Sequence, residues 1–286
     1  MRQAVQSAVP VPAWQKGVQL MKQTNIIDSQ RYPSPNPAID VFLITYLSER
    51  YRVKAFLAVP KWKPDTVNGK FPGFLYLRGG IKGVGMVRMG RIIQFASEGF
   101  VVIAPFYRGN CGGEGYEDFA GEDRIDAFGA FEILKEYPLV DRDNIHIFGF
   151  SRGGVMALVT AIEKPDTKSI VTWGGVSDMF LTYEEREDLR RMMKRVIGGT
   201  PTKVPDRYSW RTPLEQIEKI NAPVLIIHGA QDKNVSVKHA YSLEKKLKEH
   251  QKPHTKWIFE DYTHYFPPHV NRKVVQELTL WMKSQG

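Results

Sequence analysis

One cysteine, Cys111, stands in the whole 286-residue chain. It has no partner for an intrachain bridge, so no disulfide framework holds the fold and nothing marks a secreted disulfide scaffold. Long hydrophobic runs are missing too: no apolar stretch approaches the roughly 20 residues that a membrane helix needs. The N-terminal "MRQAVQSAVPVPAW" has a single arginine and a proline-broken, weakly apolar stretch, a poor core for a signal peptide. Neither a P-loop nor a G-x-G-x-x-G phosphate loop occurs, and no Cys/His/Asp cluster has metal-ligand spacing. The expectation is a soluble, cytoplasmic protein with no membrane partner, no metal and no other cofactor.

A basic ladder is also absent. Lysine and arginine outnumber acids by 40 to 31, a net charge of +9, yet the charges interleave in stretches such as "EEREDLRRMMKR" and "SLEKKLKEH". That is the pattern of a solvated mixed-charge surface, so no nucleic-acid partner is expected. What the chain does have is material for one large core: 42% hydrophobic residues, with 6 Trp, 12 Tyr and 15 Phe.

Residues 1–36, rich in Gln and Pro and ending near "RYPSPNP", read as an N-terminal extension lying on the body, and 37–286 as a single catalytic domain. "IDVFLITYL" and "YRVKAFLAVP" alternate as a hairpin turning at Ser48 to Arg50. Short apolar strands then alternate with helical patterns: "FPGFLYL", "MGRIIQFASEG", "FVVIAP", "EDRIDAFGAFEILKEY", "IHIFGF", "GGVMALVTAIEK". The second half continues with "SIVTWGG", "EEREDLRRMMKRVIGG", "PVLIIHG", "VKHAYSLEKKLKEH", "TKWIFE" and "PHVNRKVVQELTLWMKS". Such alternation predicts an α/β fold with a mostly parallel sheet covered by helices on both faces. Function in these sheets gathers beyond the carboxyl ends of the strands.

Ser151 sits at such an end. "GFSRGG" puts it between Gly149 and Gly153, the G-x-S-x-G spacing of a nucleophile elbow, in which glycines relieve the crowding of a sharp strand-to-helix turn. A serine hydroxyl needs a base, normally histidine, and the histidine needs a carboxylate to fix its tautomer. For this elbow the chain order is Ser, then acid, then His. Asp232 follows "PVLIIHG" and His264 follows "TKWIFE", each on a loop beyond a strand's carboxyl end. The expected triad is therefore Ser151, Asp232 and His264.

Other residues receive structural readings. Asp178, after "SIVTWGG", is read as a cap or packing residue, Asp261 is too near His264 to orient it, and His228 is read as a support for the Asp232 loop. His269 has no helical metal-ligand spacing to His264, and Cys111 is read as a free thiol with no base beside it. An oxyanion needs two preorganised donors. The amide of Arg152 is one; the loop Arg78-Gly79-Gly80-Ile81 supplies the other, with Gly80 chosen and Gly79 and Ile81 as neighbours in contention.

From about residue 37 to its end, the chain resembles the catalytic domain of the prolyl oligopeptidase family of serine peptidases, an α/β-hydrolase fold. "VKAFLAVP", "LRGG", "APFYRGNCGGEGYEDFAGEDRIDA", "GFSRGG", "DRYSWRTPLEQIEKINAPVLIIHGAQDKNV" and "THYFPPHVNR" follow in the family's order. The resemblance implies the same triad and the same two oxyanion donors. Arg78 stands where members commonly have His or Tyr, which implies a backbone contact for the second donor. Thirty-six residues are too few for the family's N-terminal β-propeller, so a small-molecule ester or a short peptide or aminoacyl amide is the expected substrate, with ester cleavage favoured. A true aminopeptidase or oligopeptidase is the alternative within enzymes, and a catalytically silent binding protein the alternative outside them. The mouth over Ser151 is expected to draw on Tyr116, Phe119, Phe180, Tyr183 and Trp210.

Overall fold

The computed structural model describes residues 25–66 and 68–286. Residues 1–24 of the extension read over 1–36 therefore lie outside the described residues. Among those described, nine strands form one sheet: β1 (Ile26–Tyr32), β2 (Ile39–Ser48), β3 (Tyr51–Pro60), β4 (Phe71–Leu77), β5 (Val101–Pro105), β6 (Val140–Phe150), β7 (Ser169–Trp173), β8 (Val224–Gly229) and β9 (His254–Phe259). Their order across the sheet is β1-β2-β3-β5-β4-β6-β7-β8-β9. Strands β1, β2 and β3 join antiparallel, and every pairing from β5 to β9 is parallel.

Two-sided burial explains the central strands. Every residue of β4, β5 and β7 is buried, which is why they read as continuous apolar runs. Successive side chains go to opposite cores. Leu75, Leu77, Ile147 and Ile170 pack under α2 (Arg124–Glu136), α3 (Gly153–Glu163) and α7 (Lys238–Glu249). Phe74, Tyr76, Phe148 and Val171 pack under α1 (Met89–Ser97) and α8 (Pro268–Lys283). The second core is largely aromatic: Phe74 stacks on Phe95 at 4.4 Å and on Phe148 at 5.8 Å between ring centroids.

The structure departs from the sequence reading in two places. Residues Ile26–Tyr32, read as part of an extension, form the edge strand β1 and pair with β2 from Ile26↔Tyr46 to Tyr32↔Val41. Its sequence "IIDSQRY" is mostly exposed, so it lacks the apolar alternation that marks a half-buried strand. The helix read over 184–199 is interrupted: α4 (Met179–Glu185) and α5 (Glu187–Ile197) meet at Arg186, whose backbone leaves helical values. Arg186 forks onto both oxygens of Asp188 and reaches the Asn234 carbonyl, contacts that a continuous helix would not bring together. Short α6 (Pro205–Ser209) and a 3₁₀ segment (Pro213–Lys219) complete the excursion between β7 and β8.

His146, in the middle of β6, is fully buried, with Nδ1 2.8 Å from Ser169 Oγ and Nε2 without a hydrogen-bond partner among the described residues. Burial pushes its pKa down to about 3. The unfolded chain takes up that proton near pH ~6.5, so the stability it holds is complete above that pH and is lost as pH falls towards 3. Between about pH 6.5 and 4.5, equilibrium denaturation should show the wild type losing on the order of 2 kcal/mol more than His146→Phe. Equal pH slopes in the two proteins would refute the assignment.

Candidate active site

Ser151 lies between the end of β6 and the start of α3, in left-handed conformation at φ 58°. A non-glycine residue there costs about 1–3 kcal/mol and persists only where its surroundings fix it. They do so here. The Ser151 amide donates to the Trp173 carbonyl at 3.1 Å, and its own carbonyl accepts from Gly154 and Val176, both at 2.9 Å. A side chain on Gly149 would run into the Gly153 carbonyl, and one on Gly153 into the Leu77 carbonyl. The elbow is as tight as its glycines allow.

Asp232 and His264 meet beyond the ends of β8 and β9. Asp232 Oδ2 is 2.6 Å from His264 Nδ1, and its Oδ1 accepts from the amides of Asn234 (2.8 Å) and Val235 (3.0 Å). Both side chains are buried. His228 braces the same loop: its Nε2 lies 2.8 Å from the Val235 carbonyl and 3.5 Å from Asp232 Oδ2. Gly174, at φ 52°, leaves room for the pair, since a Cβ there would lie 3.1 Å from His264 Nδ1. Ser151 Oγ makes no hydrogen bond to His264 among the described residues. The two are neighbours through Phe150, whose ring is 4.7 Å from the His264 ring, and through Gly79, which shares a cavity wall with His264. Catalytic hydrogen bonds of this kind are often long before substrate binds.

Asp178, the rival acid, spends its carboxylate elsewhere, capping α4 by accepting from the amides of Phe180 (2.7 Å) and Leu181 (3.2 Å). Asp261 and His269 are exposed. Cys111 is an exposed free thiol, and among the described residues no group of three or more His, Cys, Asp or Glu could hold a metal.

The Arg78-Gly79-Gly80-Ile81 loop presses against the elbow, and a Cβ on Gly79 would lie 2.6 Å from Ser151 Cβ. Among the described residues, the amides of Gly79, Gly80, Ile81 and Arg152 donate no hydrogen bond within the chain. Behind them lies an ionic cluster that sequence spacing did not reveal. Buried Glu117 accepts from Arg78 Nη2 at 3.1 Å, from Arg152 Nη2, from Asn110 Nδ2 at 2.9 Å and from the Lys82 amide at 2.7 Å. Arg152 also holds Asp123 at 2.9 Å, and Arg78 donates to the Gly79 carbonyl at 2.9 Å. The Tyr107 ring lies between the two guanidiniums, 5.1 Å from Arg78 and 4.8 Å from Arg152. Burial drives Asp123 up to about 7 against the pull of Arg152, with Asp118 and Glu117 adding to the rise. Burial also works against the charge of Arg152, but Glu117 and Asp123 outweigh it and raise its pKa.

A cavity of about 770 Å³ opens beside His264 and Gly79. Its aromatic wall is Tyr76, Phe150, Trp173, Tyr265 and Phe266. None of the five aromatics expected from the sequence lines it. Phe119 is buried under Arg152, Phe180 and Tyr183 pack on Tyr208, and Trp210 lies under Arg124, while Tyr116 points to solvent. The wall comes from strand ends and the His264 loop, not from the long surface segments.

With that geometry in hand, the chain can be set beside known proteins. The profile of the prolyl oligopeptidase family matches residues 87–285. The chain belongs to this family. It is a serine hydrolase, and an uncharacterized peptidase of Bacillus subtilis (strain 168), YtmA, is 62% identical to it over 261 residues, 91% of this chain and 100% of the relative. Mouse dipeptidyl peptidase 8 is 26% identical over 216 residues, and there the match spans only 23% of the longer relative. Among solved structures, acetyl xylan esterase 1 from Thermoanaerobacterium sp. JW/SL YS485 superposes with a TM-score of 0.70 at 15% identity, over 94% of this chain and 92% of that one. At that identity the likeness concerns the α/β-hydrolase fold alone. No helix among the described residues is long and apolar enough to cross a membrane.

Removing Glu117 would leave two buried guanidiniums facing each other. Glu117→Ala should lower unfolding free energy by about 3–5 kcal/mol. Glu49→Ala, which removes a half-exposed partner of Arg108, should cost less than about 1 kcal/mol. Denaturant titration of both variants checks the contrast, and a Glu117 effect as small as that of Glu49 would refute it.

Proposed function

We propose that the protein hydrolyses small acyl substrates through an acyl-enzyme on Ser151. The observation that carries this reading is the 2.6 Å Asp232–His264 pair set beside a serine in left-handed conformation. With Asp232 on Nδ1, the imidazole presents Nε2 as the base, takes the Ser151 proton as Oγ attacks the carbonyl carbon, and passes it to the leaving group. Water activated by the same nitrogen then releases the acyl group. The oxyanion is held by the amides of Arg152 and Gly80, two donors with no partner among the described residues. Asp232 keeps its tautomer-fixing role because both of its oxygens are already oriented, Oδ1 by two amides and Oδ2 by His264.

Ester substrates are favoured over amides in this reading. The cavity beside His264 has an aromatic wall suited to a compact apolar group, and an ester has the better leaving group where little extended peptide positioning is available. The acetyl xylan esterase that shares the fold is of similar length. The name of the 62% identical relative, a peptidase, favours the second reading, cleavage of short aminoacyl amides.

Ser151→Ala and His264→Ala should each lower kcat by roughly 10⁴–10⁶, and the double variant should lose little more, because the two act as a unit. Asp178→Asn should be far milder than Asp232→Asn; equal losses in folded protein would overturn the choice of acid. Labelling of the wild type, but not of Ser151→Ala, by a fluorophosphonate separates an enzyme from a silent binding protein.

For ester against amide, the deciding measurement is kcat/KM on matched short-chain aryl esters and aryl amides with the same acyl group. Faster ester turnover is expected. An amide preference would move the enzyme to the peptidase reading.

A further inference from the structure

The arginines around the elbow fall into two kinds. Arg78, Arg108, Arg152 and Arg211 are buried, and each holds a carboxylate of this chain. Arg88 and Arg91 line the cavity beside His264, and among the described residues neither forms an ion pair. Among the described residues, no aspartate or glutamate lines that cavity. Arg91 lies half-buried with its guanidinium 4.9 Å from the Trp173 ring and 5.5 Å from Phe95. One of its N–H groups donates to Asn271 Oδ1 at 2.5 Å, a neutral acceptor that orients the fork without neutralising it. Positive charge converges on the Tyr76 hydroxyl in the cavity wall: burial raises that phenol's pKa, while Arg91 and then Arg88 pull it down.

The backbone adds to the same field. Arg88 caps α1 with no side-chain hydrogen bond, and the first turn of the helix holds no acidic residue. Among the described residues, the Met89 and Gly90 amides therefore end the helix without a partner, and Gly90 lines the cavity with open space where a side chain would stand. A desolvated guanidinium without a counter-ion is costly, and an aromatic cavity makes any carboxylate that reaches it bind more strongly than it would in water. The position in the reaction follows from the wall shared with His264. In the proposed mechanism His264 gives its proton to the leaving group, so the group that departs does so past His264 and into this space.

We infer that this cavity receives a leaving group bearing a free carboxylate, held by Arg91 and Arg88, so that the preferred substrates are acyl esters of hydroxy acids or acyl amides of amino acids. The inference rests on the acyl-enzyme reading above. In the step itself, the bond from Ser151 Oγ to the acyl carbon forms first, and the bond from acyl carbon to leaving oxygen or nitrogen breaks as the oxyanion collapses. The serine proton passes through His264 to the leaving atom, and the carboxylate departs chemically unchanged. Tyr76, Phe150, Trp173 and Tyr265 would surround the apolar part of that group, which suits an aromatic one.

The test uses the acetate esters of 4-hydroxybenzoate and 4-hydroxybenzamide, which differ in a carboxylate against a carboxamide. The readout is the ratio of their kcat/KM values within each protein, so that any general loss of activity or stability cancels. The wild-type ratio should exceed that of Arg91→Gln by about tenfold, mainly through KM, and Arg91→Lys should recover part of it. Arg88→Gln, at an exposed position, should lower the ratio in the same direction and serves if Arg91→Gln fails to fold. Equal ratios in the wild type and in folded Arg91→Gln or Arg88→Gln would overturn the inference.

A binding arm separates the pocket from the chemistry. In Ser151→Ala, calorimetric titration with 4-hydroxybenzoate should give binding that 4-hydroxybenzamide does not match and that Arg91→Gln abolishes. If the wild type hydrolyses neither ester nor p-nitrophenyl acetate while this binding persists, the acyl-enzyme reading falls and the carboxylate pocket stands. If hydrolysis proceeds without carboxylate preference or Arg91-dependent binding, the pocket assignment falls and the enzyme reading stands.

Discussion

Glu117 holds the two halves of the proposed oxyanion site together. Arg78 belongs to the loop after β4, and Arg152 to the elbow after β6, so both guanidiniums sit directly behind the amides that would face a developing oxyanion. Two buried cations packed on one side chain repel unless a carboxylate stands between them, and Glu117 bonds to both. Its remaining lone pairs are met by Asn110 and by the Lys82 amide, so the buried charge is fully hydrogen-bonded. A buried ionic cluster is weak evidence of net stability, but removal of one member is expensive, which makes the geometry of the loop all-or-none. Arg78 then passes that rigidity to the backbone itself, by holding the carbonyl of Gly79.

The contrast with the other wall of the site is one of compensation. On the side of the proposed oxyanion site, each arginine is matched by an acid, so the charges there balance and the amide dipoles would be the donors. On the His264 side, Arg88 and Arg91 stand without acids among the described residues. The net charge of +9 thus has a local component at the mouth of the site, in addition to the mixed solvated surface that the sequence suggests. A field of this sign attracts anionic substrates before any contact is made, an effect that salt would screen.

Much of this arrangement was legible in the sequence where the signal is local. Strands such as "FPGFLYL" and "PVLIIHG" announce two-sided burial by being apolar throughout, and the elbow is written in five consecutive residues. The pairing of Asp232 with His264, 32 residues apart, could be read because both follow strands whose carboxyl ends share one edge of a parallel sheet. Glu117 carries no such mark. It lies 39 residues from Arg78 and 35 from Arg152, in a loop whose glycines and acids look like an ordinary surface connection, and only the folded path brings it beneath the elbow. The edge strand β1 escaped for the opposite reason, since it pairs by backbone while showing mostly polar side chains to solvent. The aromatic wall was sought in long surface segments, whereas Tyr76, Phe150 and Trp173 lie at or near strand ends where they read simply as core.

The two candidate acids illustrate how folded context separates residues that look alike in sequence. Asp178 and Asp232 both follow a strand of the parallel half, and either could in principle reach a histidine on the neighbouring loop. Asp178 is followed at once by a helix whose free amides need an acceptor, and one of its oxygens takes two of them. Asp232 is followed by a turn that asks the same of its Oδ1, yet its Oδ2 remains directed at His264 Nδ1. His228 tightens this arrangement: burial lowers its pKa, and its Nε2 serves the Val235 carbonyl 2.8 Å away, so it closes the loop without displacing His264 from the carboxylate. The turn's own hydrogen bonds thereby fix the rotation of the Asp232 carboxylate, and that rotation engages Nδ1 of His264, which leaves Nε2 as the nitrogen that would act as base in the proposed mechanism.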